Sequence, residues 1–193
     1  MGRDEFAVLL YELREDLGAY LRGLPGSPPV RSLADVIAFN KANASAEMPF
    51  FGQELFEEAA KTKGLDDPEY KAARAKSLAQ ASAAIDGMLK QANAAVLVTP
   101  TYGPAWLSDP VHGDQYGGPS SSQLPAISGY PNLTVPMGLV DGLPVGLSFI
   151  ATRNADATVL NAGYAYEQRA RARAAPRYLP TADAGPGLEG SPK

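Results

Sequence analysis

Near the start of the chain, Phe6, Leu9, Leu10, Leu13, Leu17, Tyr20 and Leu21 recur at helical spacing, while Asp4, Glu5, Glu12, Arg14, Glu15 and Asp16 fall largely off that stripe. The spacing predicts a surface helix with one buried face. Leu24-Pro25-Gly26-Ser27-Pro28-Pro29 closes it, since prolines so dense cannot continue a helix. A second helix is expected from Ser32, a good N-cap, with Asp35 at the third capping-box position and Leu33, Val36, Ile37 and Asn40 behind it. Met48-Pro49-Phe50-Phe51-Gly52 interrupts the pattern, and Gln53 to Lys63 reads as a short helix closed by Gly64. The longest helix is expected from Glu69 to Ala92, with Asp67 as cap, Pro68 in its first turn and many alanines along it. Its expected buried edge is Tyr70, Ala73, Leu78, Ala81, Ile85, Met88 and Leu89.

The period then changes from helical to extended. Ala94-Ala95-Val96-Leu97-Val98, ended by Thr99-Pro100, fits a strand buried on both faces. Leu133 to Val135 and Val145 to Ile150 read as two more strands, and Asp141-Gly142 between them can supply the positive φ angles of a tight reversal. Asp156 is expected to cap a final helix running from Ala157 to about Arg173, with Leu160, Gly163, Tyr164 and Glu167 spaced along it. Helix followed by strand points to an α/β layer. Between Thr101 and Tyr130 periodicity disappears into Gly, Pro and Ser, a length of loop that in a compact domain is either functional or disordered. Its aromatics, Tyr102, Trp106 and Tyr116, favour order. Ala174 to Lys193 is Pro-, Gly- and Ala-rich and is expected to fray.

Composition limits the function classes. The 193 residues are 45% hydrophobic, enough for one sizeable core, so one domain is the default. A net charge of -4 gathers neither nucleic acid nor anionic lipid, and no nucleic-acid or membrane partner is expected. With no cysteine, thiolate nucleophiles, zinc-thiolate sites and disulfides drop out, and any chemistry falls to oxygen and nitrogen groups. No apolar stretch approaches the roughly 20 residues of a membrane helix, and a cytoplasmic setting is the default expectation.

The candidate chemistry sits in the long loop. Gly117-Gly118-Pro119-Ser120-Ser121-Ser122 combines backbone freedom with hydroxyls, but a serine needs a neighbouring base, and His112 is the single imidazole. With no Gly-x-Ser-x-Gly elbow, that loop reads better as one that orders substrate or caps the helical turn at Ala126. Asp109, His112 and Asp114 lack the converging spacing of a metal site, so neither metal nor cofactor is assigned. Tyr102 and Trp106 lie just past the carboxyl end of the Val96 strand, where α/β sheets hold ligands; the alternative is that they simply cover the sheet edge.

The run Gly129-Tyr130-Pro131-Asn132-Leu133-Thr134-Val135-Pro136-Met137-Gly138, followed by Asp141 to Ile150, resembles the C-terminal hallmark of the amidase signature family. The likeness extends from roughly Glu5 to Tyr178, through Phe6 to Leu13, Leu33 to Asn40, Val96 to Thr101 and Ala165 to Gln168. Phe51-Gly52-Gln53-Glu54-Leu55-Phe56 is similar to the peptide-amidase-like branch in particular.

The resemblance implies an α/β fold, a mixed sheet flanked by helices, of which residues 1–178 would be the C-terminal part and 179–193 a flexible tail. It implies hydrolysis of carboxamides by a serine, deprotonated through a cis-serine and a lysine, by way of an acyl-enzyme. In the family the lysine and the Gly-Ser-rich segment lie upstream of the matching motifs, so no catalytic residue is carried over onto this chain. What carries over is pocket wall: Ser120, Ser121 and Ser122 in the loop ahead of Gly129, with Tyr102 at the strand exit, facing a small-molecule or peptide amide. The expected partner is the upstream catalytic half of an amidase, or a second copy through exposed sheet. Two rivals stand beside this reading: a standalone serine hydrolase using Ser120 to Ser122 with His112, and a degenerate, non-catalytic binding module.

Overall fold

The computed structural model describes residues 2–26, 28–109, 111–115, 120–176 and 178. Gly117, Gly118, Pro119 and Tyr116, and the tail 179–193, lie outside the described residues. The chain divides into two compact units, Met1–Gln80 and Ala81–Lys193.

The first unit is helical: α1 (Gly2–Gly23), α2 (Leu33–Ala42), α3 (Ala44–Glu47), α4 (Glu54–Ala60) and the start of α5 (Pro68–Ala92). Local chemistry accounts for the helix starts. Ser32 Oγ accepts the Asp35 N–H at 3.2 Å while the Asp35 carboxylate accepts the Arg31 N–H at 2.9 Å. These bonds, the Arg31 N–H first, hold the Asp35 carboxyl below its ordinary value. Asp67 Oδ1 accepts the Glu69 N–H at 3.1 Å, as its capping position requires, and Pro68 takes the first helical position, where a missing N–H costs nothing. Asp67 Oδ2 also accepts the Tyr11 hydroxyl at 2.7 Å, and Tyr70 donates to Glu12 at 2.8 Å, tying α1 to the start of α5.

Three expectations are corrected here. The buried face of α1 carries Val8, Tyr11 and Gly18, whereas Phe6, Leu9 and Tyr20 of the expected stripe are exposed. The ring of Tyr11 stacks at 5.6 Å on Tyr70, and this aromatic pair with its hydroxyl bonds fixes the helix rotation. The helix expected to reach Lys63 stops at Ala60, where the Thr62 hydroxyl takes the Ala59 carbonyl at 2.7 Å and Gly64 turns the chain at φ +90°. On α5 the expected edge holds at Ala73, Ala81, Ile85 and Leu89, which are buried, but Met88 is 42% exposed and Ser77 is buried in addition.

The second unit is built on a three-stranded antiparallel sheet in the order β1 (Leu97–Pro100), β3 (Leu143–Ile150), β2 (Asn132–Val140). Asp141 and Gly142 join β2 to β3 with φ +49° and +78°, the two-residue reversal legible in the sequence. A bulge between Pro136 and Gly138 shifts the register along β2. Side chains alternate across the sheet. One face presents Leu133, Val135, Leu147 and Phe149 to α7 (Asp156–Ala170), packing with Val159, Ala151 and Tyr166. Gly163 of α7 sits so close to the sheet that a Cβ there would lie 2.4 Å from Leu133 Cδ2. On the other face Ile150 meets Ile85 and Leu89 of α5, with Leu97, Leu124 and Tyr130 alongside.

The expectation that the Val96 strand is buried on both faces does not hold: β1 alternates, and Val98 is 55% exposed. Among the described residues β1 has one neighbouring strand, and at Val98 the apolar face of the sheet is open. Asp156 is the first residue of α7 rather than its cap, and the helix ends at Ala170, where Arg171 enters the left-handed region at φ +46°. Leu160 and Tyr164 are exposed, because Val159 and Gly163 form the packed face. Within the aperiodic stretch a short helix, α6 (Gln123–Ser128), forms and ends on Gly129 at φ +71°.

Candidate functional site

The face of the sheet opposite α7 carries hydroxyls. Thr134 and Ser148 alternate with the core residues Leu133, Val135, Leu147 and Phe149, so the period of two places them together on that face. Thr101, one residue past β1, stands opposite Gly146 and donates its N–H to the Gly146 carbonyl at 2.7 Å. Because Gly146 has no side chain, the Thr101 and Thr134 hydroxyls meet above it at 2.5 Å. A Cβ on Gly146 would lie 2.5 Å from Thr134 Oγ1 and 2.8 Å from Thr101 Oγ1, so this glycine leaves the room the contact needs.

The chain of hydroxyls continues inward. Thr101 Oγ1 is 2.8 Å from Ser148 Oγ, and Ser148 Oγ is 2.8 Å from Ser121 Oγ. Ser148 is fully buried and Ser121 nearly so, at 6% exposure. The Ser121 N–H donates to the Thr101 carbonyl at 3.1 Å, and Asn132 Nδ2 donates to the Ser121 carbonyl at 3.4 Å. Ser121 is thereby pinned to all three strands or their exits. Such a network is neutral and fully paired, which specifies one loop geometry because any unmade bond would leave a buried polar atom unsatisfied.

Of the four residues expected at the pocket wall, the serines are neighbours with different roles. Ser121 faces the sheet. Ser120 and Ser122 are exposed, with their hydroxyls 3.0 Å apart. Ser122 precedes α6 and its carbonyl accepts the Ala126 N–H at 2.9 Å, so the residue starts the helical turn through its backbone, with no cap bond from its side chain. Tyr102 is half-buried and pairs with Trp106, ring centroids 5.8 Å apart at 41°. Trp106 Nε1 donates to Asp114 at 3.2 Å.

His112 does not meet the serine hydroxyls described above. Its Nδ1 lies 2.8 Å from Asp109 Oδ2, and its side chain is 74% exposed. The His112 backbone N–H, its ring and the Val111 N–H together hold the Asp109 carboxyl below its ordinary value. A serine whose partners are hydroxyls and carbonyls has no group to take its proton, so this cluster positions rather than attacks. Among the described residues no group of three His, Asp or Glu side chains could hold a metal ion, and no helix is long and apolar enough to cross a membrane.

A second polar junction was not anticipated. The Asp86 carboxylate on α5 accepts the Tyr130 hydroxyl at 2.8 Å and the Thr152 hydroxyl at 2.7 Å, joining the helix to the start of β2 and the end of β3. Thr101, Thr134, Ser148 and Gly146 were also absent from the expected site. The signal for Thr134 and Ser148 was present in the alternation of polar and apolar residues; Thr101 and Asp86 needed the fold.

No family model matches the chain. Solved structures and curated sequences do. The native peptide amidase of Stenotrophomonas maltophilia superposes with a TM-score of 0.79 at 44% identity, covering 90% of this chain and 34% of that one. An amidase family protein of Bacillus anthracis gives 0.68 at 28% identity, covering 88% and 30%. A probable amidase of Arabidopsis thaliana is 34% identical over 177 residues, which are 91% of this chain and 31% of that protein. The chain thus spans about a third of the length of the relatives it matches. Nearly the whole described fold is shared with solved amidases, at identities too high for a likeness of fold alone, and over this third of their length the chain is similar to amidases in sequence and in structure.

Proposed function

We propose that this chain is the C-terminal part of an amidase and supplies sheet scaffold and pocket wall to an active site whose reacting groups lie on other polypeptide. The observation that carries this reading is the hydroxyl network: it fixes the loop bearing Ser120 to Ser122 against the sheet, yet contains no base that could activate a serine. The reaction is hydrolysis of a carboxamide. A serine on the other polypeptide, deprotonated through a cis-serine and a lysine, attacks the amide carbon, expels the amine and leaves an acyl-enzyme that water cleaves.

In this reading Ser121 is a positioning residue, held by Ser148 and Thr101. Ser120 and Ser122 offer exposed hydroxyls to the amide substrate, and Tyr102, backed by Trp106, forms an apolar wall at the strand exit. A peptide amide is the substrate class of choice, because the native peptide amidase of Stenotrophomonas maltophilia is 44% identical over the shared region.

The test is an assay of the chain alone, and then with the portion of that peptide amidase which it does not match, on simple amides and a C-terminal peptide amide. The chain alone should be inactive and the pair should hydrolyse the peptide amide. Turnover by the chain alone, lost in Ser120→Ala or His112→Ala, would establish the standalone hydrolase instead. Association without hydrolysis would favour a non-catalytic binding module.

A further inference from the structure

Two segments of the second unit are clamped together where the serine loop meets the strand exit. The Thr101 carbonyl accepts both the Ser121 N–H at 3.1 Å and the Ser121 hydroxyl at 3.2 Å. Ser120 and Ser122, with their exposed hydroxyls, flank this junction in one segment, and Tyr102 follows it in the other. The Tyr102 ring pairs with Trp106 at 5.8 Å and 41°, and both residues are half-buried, so part of each stays in contact with water. The indole N–H donates to Asp114 Oδ1 at 3.2 Å.

The charge around this aromatic pair has one sign. Between Lys90 and Arg153 the sequence holds no lysine or arginine, while Asp109 and Asp114 both follow Trp106 within the same loop. His112, the single imidazole, has its Nδ1 at 2.8 Å from Asp109. Among the described residues Asp114 takes part in no ion pair. A carboxylate accepting from the indole edge polarises the ring and makes its face more attractive to positive charge. Such a surface sorts ligands by charge. An anion is repelled by Asp114. A neutral apolar group seated on the rings would strip water from the Asp114 carboxylate with nothing in exchange. A positive charge gains from the ring faces and the carboxylate together, about three- to thirtyfold in affinity over the range from exposed to desolvated cation–π contacts.

We propose that Tyr102, Trp106 and Asp114 form a subsite for a positively charged group on the substrate, an ammonium or guanidinium carried by a peptide amide. This rests on the reading under Proposed function and names the amides that the pocket wall selects. The charge comes from a lysine or arginine side chain or from the amino terminus of a short peptide, which present the same chemistry to the rings. The exposed hydroxyls of Ser120 and Ser122 hold the amide on one side of the Ser121–Thr101 clamp, and the aromatic pair takes the charge on the segment leaving Thr101. Tyr102 and Trp106 touch the charged group, while Asp114 fixes the indole through Nε1 and supplies the opposite charge.

The test follows the emission of Trp106, the single tryptophan, in the full chain. The probes are acetyl-lysine amide, its neutral isostere acetyl-norleucine amide, acetyl-glutamate amide, and glycyl-norleucine amide with and without an acetyl cap. At least one cationic probe should bind about three- to thirtyfold more tightly than its neutral counterpart, with the excess shrinking as salt rises, and acetyl-glutamate amide should bind most weakly. A gain for lysine assigns the charge to the side chain, and a gain for the uncapped glycyl peptide assigns it to the amino terminus. Asp114→Asn and Tyr102→Leu should each bring the ratio to within about twofold of one, and Asp114→Glu, which keeps the charge, should retain it; a merely structural Asp114 would weaken all probes together. Equal binding of charged and neutral probes, a ratio that survives Asp114→Asn and Tyr102→Leu, or no response to any probe would overturn the inference. The same ratio in kcat/KM, measured on the pair described under Proposed function, separates the two readings. A pair that hydrolyses charged and neutral amides alike overturns the subsite and leaves the amidase reading standing. Cation binding by the chain with no hydrolysis by the pair keeps the subsite and brings down the amidase reading.

Discussion

Replacing Gly146 by alanine tests the physical basis of the hydroxyl network. Gly146 lies on the central strand with Thr101 on one side and Pro136 on the other, and an added Cβ would meet Thr134 Oγ1 at 2.5 Å, Thr101 Oγ1 at 2.8 Å and Thr101 Cβ at 3.2 Å. Real Cβ atoms do not tolerate the first two distances, so both hydroxyls must swing away. Crowding of this kind costs about 1–3 kcal/mol. Loss of the Thr101–Thr134 bond adds about 1 kcal/mol, partly offset by about 0.4–1 kcal/mol from the stiffer unfolded chain. Gly146→Ala should therefore destabilise by about 2 kcal/mol, read as a lowered urea midpoint at constant slope. Thr134→Ala, which removes an exposed hydroxyl, should cost less than about 1 kcal/mol, and the double variant should recover about 1 kcal/mol relative to the sum of the singles. A Gly146→Ala protein within about 0.5 kcal/mol of wild type, or strict additivity in the cycle, would refute the account of why a glycine occupies this position.

Gly163→Val on α7 would drive its side chain into Leu133 and Val135 and should cost about 1–3 kcal/mol in thermal or urea unfolding, whereas Gly163→Ala, opposed mainly by the mobile end of Leu133, should cost less. Asp86→Ala removes the acceptor of the half-buried Tyr130 hydroxyl and of the exposed Thr152 hydroxyl and should lower stability by about 1 kcal/mol; adding Tyr130→Phe to that variant should cost little more, measured by the same unfolding curves. The hydrogen bond to Asp67, with burial, pushes the Tyr11 hydroxyl up to about 12, so its contribution is present below about pH 10 and fades as pH climbs toward 12. Asp67 is held low by the same hydroxyl and by the Glu69 N–H, so its contribution is present above about pH 4 and fades as pH falls through the lowered value. Tyr11→Phe should remove the alkaline fall and flatten the acid one in melting temperature against pH; an unchanged alkaline limb would count against the Tyr11–Asp67 bond.

The sequence by itself determined what depends on near neighbours. Ser32 with Asp35, Asp67 with Pro68, and Asp141 with Gly142 act through their own backbone within a few residues, so each helix start and the reversal formed where the side-chain chemistry demanded. The motif from Gly129 to Ile150, read as a resemblance, pointed to the amidases that the chain is similar to, because order and spacing survive without knowledge of contacts. Only the tertiary structure decided which face of an element is buried. On α1 Leu10, Leu13, Leu17 and Leu21 of the expected stripe are half-buried, but Phe6, Leu9 and Tyr20 give way to Val8 and Tyr11, whose ring packs on Tyr70 of α5 and whose hydroxyl bonds Asp67 just ahead of that helix. Strand β1 has one neighbouring strand among the described residues, and no local pattern records how many strands flank an apolar run. The hydroxyl cluster was half visible in the alternation of Thr134 and Ser148 with core residues, but Thr101 and Ser121 join it from 33 and 27 positions away from their partners. Such convergence is a property of the folded sheet, where strands far apart in sequence are held side by side by ladder bonds that carry no side-chain signature.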